Sequence, residues 1–402
     1  FVLDSETEIR LTKRRGPLGT SVIDFNGHDL IVRSSGTFGT VNAKLINTSE
    51  TPSKLRFVED DNAKPQIGVA DMAGGPENEL SFEAARLFML SAVKPSHPGS
   101  WTLVARGGDN ICSATRGLGA TVPGWSGPMR LENDARILNT DDDNTSGHVI
   151  GLGGPLQGAA SRTLKVQQSI FCMYSAENTF AGTIDLAGGS KESAYRNALV
   201  LTNGANVCGK MLKVSDSDLI MDDAADRRFP SVAVSTADSL TPKSKTTGLT
   251  GEANIIGGTV GTVFEQISVT GPNVFTLDSP STVEVLSVAQ GTLALSSTAE
   301  VLGADRLPAI SNVVFASGTT FDMHGHALSV RNWRGVPTVA NAADLTLTGS
   351  LAVDGVDLAA DSRLKTDGRL VFGAGAVVTV ANAKRAATGE LVLATARRGV
   401  VL

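Results

Sequence analysis

Residues 139–148 hold the densest set of chemistry-bearing side chains in the sequence: Asn139, Thr140, Asp141, Asp142 and Asp143, then Gly147 and His148. Carboxylates beside an imidazole are the ingredients of general acid–base hydrolysis. An inverting glycoside hydrolase sets its two carboxyl groups about 6.5–9.5 Å apart, on either side of the sugar. Here the acids are consecutive and His148 follows on the same loop, so they crowd together instead of facing across a cleft. A hard cation suits such a loop better, because Ca²⁺ gathers about six to eight oxygen ligands. Asp141 and Asp143 are therefore the calcium candidates, with a solvated acidic turn as the alternative. No catalytic residue is assigned, and calcium is the one cofactor the sequence raises.

Three other clusters hold residue types that could bind a ligand. His324 and His326 are two apart, so on a strand they share a face and could bind a metal given a third ligand. The twin of this segment has Asn26 where His324 stands and His28 where His326 stands. Alternation of Asn and His at a turn is explained more simply by turn hydrogen bonding. Asp216, Asp218, Asp222 and Asp223 form an acidic edge, read as a solubilising edge with calcium as the minor alternative. Gly151-Leu152-Gly153-Gly154-Pro155 has neither the lysine nor the following helix of a phosphate loop. The three cysteines lack CxxC spacing, which argues against a zinc site and allows at most one bridge. A net charge of −6 gives no reason to expect a nucleic-acid partner. No apolar run reaches the ~18 residues of a membrane-spanning helix. The sequence opens on Phe1, which fits a chain whose leader has been removed or a segment of a longer protein.

The elements that must position these residues read as short strands. Gly is 43 of 402 residues, above the usual ~7%, and aromatics are only 5%. That favours many tight turns around a narrow aliphatic core. The segment DFNGHDLIVR at residues 24–33 recurs as DMHGHALSVR at residues 322–331. Each is a β-prone run, a turn that tolerates positive φ, and a second alternating run. Such internal repetition signals a repeat architecture. The turn suits a hairpin as well as a solenoid corner.

Short strands separated by Gly, Asn, Asp and Ser recur along most of the chain. The helices that an open parallel sheet requires between its strands are missing. The expected fold is all-β, a parallel β-helix of roughly 20–25 residues per coil with irregular loop insertions. Antiparallel sandwiches are the competitor. Residues 1–175 form the expected N-terminal section, with an irregular insertion at about residues 59–128. Residues 176–402 form the regular section, with a flexible link at about residues 235–252. Leu80, Ala84, Leu87 and Phe88 have helical spacing and make the best helix candidate; a buried strand over residues 87–90 is the alternative.

Residues 178–186, NTFAGTIDL, carry an N-T-aromatic-x-G core. This resembles the autotransporter-associated β-strand repeat of large bacterial surface and secreted proteins. Residues 99–103, GSWTL, and the two D-x-x-G-H-x-L-x-V units resemble segments that flank such repeats. The resemblance is best over residues 175–215 and weaker over 19–58 and 285–355. It implies a right-handed β-helix like an autotransporter passenger domain, outside a bacterial cell or on its surface. The expected function is non-enzymatic and structural: a repeat solenoid that self-associates with copies of itself, or adheres to other surface proteins or glycan. The alternatives are a carbohydrate-active β-helix, a lyase or hydrolase acting on acidic polysaccharide, and a glycan-binding adhesin that uses residues 59–175.

Overall fold

A Leu at one strand position finds another Leu or Met directly above and below it in the next strand. Leu30, Leu55, Leu80, Leu103, Met129 and Leu156 stand in one column, and every one is buried. Each such side chain contributes roughly 1.5–3 kcal/mol on burial. The column comes from a computed structural model of the chain. It describes residues 1–11, 21–34, 40–41, 43–59, 66–67, 71–83, 88–90, 101–106, 109–113, 124–138, 148–167, 169–187, 197–207, 209–236, 252–295, 309–324, 326, 328–342, 345–347, 351–358, 364–366, 369–380, 394–398 and 400–401.

Among the described residues every regular element is a β-strand, and the strand pairings are parallel throughout. The antiparallel sandwich is thereby excluded there, and the all-β parallel expectation holds. No helix of the described residues is long and apolar enough to cross a membrane. The helix expected from Leu80, Ala84, Leu87 and Phe88 is corrected: Leu80 lies in the strand Glu79–Glu83 and Phe88 opens the strand Phe88–Leu90. Ala84 and Leu87 fall outside the described residues. Leu80 belongs to the leucine column, so neighbouring strands decide its conformation over local spacing.

The chain divides into two compact units, Phe1–Leu212 and Lys213–Leu402. In the first, the backbone visits three sheets in rotation. Met129–Leu131, Ala135–Leu138 and His148–Leu152 belong to three different sheets. Leu156–Gly158, Thr163–Gln167 and Ser169–Met173 then repeat the circuit, each pairing in parallel with its predecessor. The residues expected to form an irregular insertion take part as well. Within 59–128 the strands Gln66–Ile67, Glu79–Glu83, Phe88–Leu90, Thr102–Ala105, Asp109–Ser113 and Gly124–Trp125 enter these ladders, and Asp71–Ala73 pairs in a further three-stranded sheet. Most of the link expected at 235–252 lies outside the described residues.

The second unit alternates between two sheets. One contains Val263–Thr270, Thr282–Val288, Ala309–Phe315 and Leu328–Arg334 in neighbouring order; the other contains Ala253–Gly257, Val274–Asp278, Thr292–Leu295 and Thr320–Asp322. Its strands are longer because two short ones have fused. Arg228–Phe229 and Val232–Ser235 are separate, yet both pair with the single strand Val263–Thr270. Phe264 and Ile267 are buried while Glu265 and Gln266 between them are not. Two consecutive outward residues break the period-2 alternation, which marks a bend inside the strand. The bend recurs between Val283 and Leu286 and between Ile310 and Val313.

Candidate functional site

The repeated D-x-x-G-H unit is a corner. Val22–Asp24 pairs with Lys44–Ile46, whereas Leu30–Ser34 pairs with Thr7–Leu11 and Lys54–Glu59, so the two runs are not hairpin partners. Between them the His28 N–H donates to the Phe25 carbonyl at 2.8 Å, with Asn26 at φ 49° and Gly27 at φ 82°. Positive φ at both central residues defines a type I′ turn. The Asn26 N–H donates to Asp24 Oδ1 at 3.0 Å. In the twin, the His326 N–H donates to Met323 O at 2.9 Å and the His324 N–H to Asp322 Oδ1 at 3.0 Å, with His324 at φ 45°. The Asn/His alternation is thus a turn requirement. His324 Nε2 also lies 3.6 Å from Asp322 Oδ2. Among the described residues no group of three His, Cys, Asp or Glu is placed to hold a metal ion.

Several acids and amides at the corners are engaged on backbone. Asn178 Oδ1 accepts from the Leu156 N–H at 2.7 Å, one repeat earlier. Its Nδ2 donates to Ser175 O at 2.7 Å and Asn206 O at 2.8 Å. Asn78 does the same work, accepting from the Ser53 N–H at 2.8 Å and donating to Gly74 O at 2.6 Å. Asp29 accepts from the Lys54 N–H and Asp134 from the Thr163 N–H, both at 2.8 Å. Each bond satisfies a corner amide that the ladders leave over. Asp24 is held from two sides: Thr48 Oγ1 donates to Oδ2 at 2.7 Å and the Thr48 N–H to Oδ1 at 3.1 Å. Burial pushes the Asp24 carboxyl up, but the Thr48 hydroxyl and the N–H groups of Thr48 and Asn26 outweigh it and hold the carboxyl below its ordinary value.

The NTFAG core has a packing explanation beyond Asn178. Phe180 is buried. A β-carbon on Gly182 would collide with the Arg162 carbonyl oxygen and the Phe180 ring, so only glycine fits. Trp101 of the GSWTL segment is fully buried, meets Phe25 edge-on at 4.7 Å and donates its indole N–H to Ala73 O at 3.2 Å. Gly154 of the GLGGP run packs against the Gly127 backbone, with no room for a side chain. On the acidic edge, Arg227 is inaccessible and grips Asp223 by two bonds of 2.7 Å. Asp218 Oδ1 accepts from Asn254 Nδ2 at 2.6 Å. Asp141 and Asp143 lie outside the described residues.

Two outer-face features had no counterpart in the sequence reading. In the first unit, Arg106 bridges Glu79 at 2.7 Å and Glu132 at 3.0 Å, and Arg130 contacts Glu79 and also Glu132, the latter at 3.2 Å. Burial pushes Glu132 up, but Arg106 and Arg130 prevail and lower it. Glu79, Arg106 and Glu132 stand 27 and then 26 residues apart. Charge alternation at the coil period is the signal that finds them. In the second unit, a groove of about 490 Å³ is lined by Val285, Asn312, Val313, Val314, Asn332, Trp333 and Arg334. Opposed carboxylates across a sugar are not seen in it; carboxamides, aliphatic carbon and a guanidinium are.

No family model matches the chain, and comparison with curated proteins and with solved structures likewise finds no match.

Proposed function

We propose that the chain is a right-handed parallel β-helix section of a bacterial cell-surface or secreted structural protein. Its function is carried by stacked coils and repetitive faces, through self-association or adhesion. The observation that supports this most is the engagement of Asn78, Asn178, Asp29 and Asp134 as corner caps between successive repeats. Polar side chains in those positions build a scaffold. The faces between corners remain available for partners, as in other solenoids. Parallel ladders also offer end strands that can template a further copy.

Electron microscopy and sedimentation of the concentrated, purified chain test the reading. Ordered fibres or sheets with this chain as the repeating subunit support a structural role. A monomer at every concentration removes self-association and leaves adhesion, to be assayed by retention on bacterial and host cell surfaces. Absence of both overturns the proposal.

A further inference from the structure

The bend in the fused strands of the second unit arranges its outer face in two parallel rows. Gln266, Val285, Asn312 and Asn332 form one row in register; Ser268, Ser287, Val314 and Arg334 form the other. Within the first row the carboxamides are chained. Asn332 Nδ2 donates to Asn312 Oδ1 at 2.7 Å, and Asn312 Nδ2 donates to Glu284 O at 3.0 Å. This fixes both amide planes. Each Nδ2 retains a second N–H, so donors recur along the groove at the strand spacing of roughly 4.8 Å. Val285 and Val314 supply aliphatic surface beside them, Val314 being 39% exposed.

Arg334 closes the row. Glu265 and Glu284, the outward acids of these strands, both meet Arg228, at 2.5 and 3.7 Å. Arg334 is exposed and forms no ion pair among the described residues. A planar guanidinium with open donors is suited to bidentate contact with a carboxylate. The ligand that fits is extended, bears hydroxyls at regular intervals to meet the carboxamides, has an apolar edge to lie on the valines, and carries a carboxylate.

We propose that this face binds an acidic glycan, a uronate-bearing polysaccharide, with Arg334 on the carboxylate and Asn312 and Asn332 on the hydroxyls. The net charge of −6 does not draw a polyanion to the molecule as a whole, so recognition rests on this local cation and weakens with salt. The inference does not need the chain to self-associate. Loss of fibres would leave the groove intact, and loss of glycan retention would leave the ladders intact.

Affinity electrophoresis of the full chain in gels containing polygalacturonate, its methyl-esterified form or poly-glutamate tests it. The expected result is strong retardation by polygalacturonate and weaker retardation by its methyl-esterified form, which keeps the hydroxyls and lacks the carboxylate. Arg334→Gln should weaken it at least tenfold, and Asn332→Ala should weaken retardation by both glycans. Circular dichroism and the thermal midpoint of each variant should match the parent. Equal retardation of parent and Arg334→Gln overturns the proposal, as does the absence of retardation. Equal retardation by poly-glutamate also overturns it, since charge alone would then suffice.

Discussion

In the first unit, Met129–Leu131, Ala135–Leu138 and His148–Leu152 are three separate strands. The breaks between such strands are closed by side chains such as Asp134 and Asn178. In the second unit, Val263–Thr270 rounds its corner without a break, by turning Glu265 and Gln266 outward together. The first solution interrupts the ladder and must satisfy the freed N–H and C=O groups one by one. The second keeps one continuous strand, whose pairing skips Glu265 and Glu284 at the bend, and turns two successive residues to solvent. A corner capped by side chains consumes polar residues. At a corner bent within a strand the amides stand on the outer face, Asn312 donating to the Glu284 carbonyl and Asn332 to Asn312.

Core truncation should be the largest disturbance in either unit. Trp101→Ala removes a fully buried indole, and Phe264→Ala removes a ring stacked on Phe229 at 4.8 Å. Each should cost about 3–5 kcal/mol by urea denaturation. Limited proteolysis should then cut Trp101→Ala within residues 1–212 and Phe264→Ala within 213–402. Cleavage spread evenly over both would erase the distinction between the units.

Corner residues should separate the two designs next. Asn178→Ala strands the Leu156 N–H and two carbonyls and should cost about 1–3 kcal/mol. Gln266→Ala removes a side chain at a bent corner and should shift the denaturation midpoint by at most about 0.5 kcal/mol equivalent. Equal costs would mean that both corners depend on side chains.

Acid should act on the first unit through Asp24 and Glu132. Both folded carboxyls titrate below their ordinary values of 3.8 and 4.5. The unfolded chain therefore takes up these protons first as pH falls. Their stabilisation is complete above the ordinary values and is lost as pH drops through the folded ones. Asp24→Asn should flatten that part of the stability profile between pH 5 and pH 2, roughly the window expected for depressed carboxyls. A profile unchanged by Asp24→Asn would show that Thr48 does not hold the carboxylate in solution.

A similarly small effect belongs to the half-buried ion network of Glu79. Glu79→Gln should cost only about 0.2–1 kcal/mol, less at high salt. A larger, salt-insensitive loss would place Glu79 among the structural caps.

The parallel all-β character was legible because short β-prone runs came without helices long enough to join an ordinary parallel sheet. The twin DxxGH units were legible as turns for the same chemical reason in both copies: Asp24 and Asp322 cap the next turn, and Asn26 and His324 tolerate positive φ. Leu80 misled because helical spacing is local, while its column with Leu55 and Leu103 depends on residues one repeat away. The segment 59–128 looked irregular because its strands are short and separated by stretches rich in Gly and Pro, and pairing with neighbouring strands supplies what propensity lacks. The outer-face groove was invisible because it depends on a parity break inside a strand. No pattern in a single strand distinguishes that break from a fault in alternation.

The corner caps also give the stack a mechanical grain. Asn178 reaches back to the preceding repeat, whereas Asp29 and Asp134 reach forward to the next. A chain pulled from one end cannot release such a coil partway, since its turn is pinned by a side chain that belongs to its neighbour. Extension should therefore proceed in discrete slips of one repeat. With 22 residues separating Asn178 from Leu156 and 29 separating Asp134 from Thr163, each slip would lengthen the chain by roughly 75–100 Å.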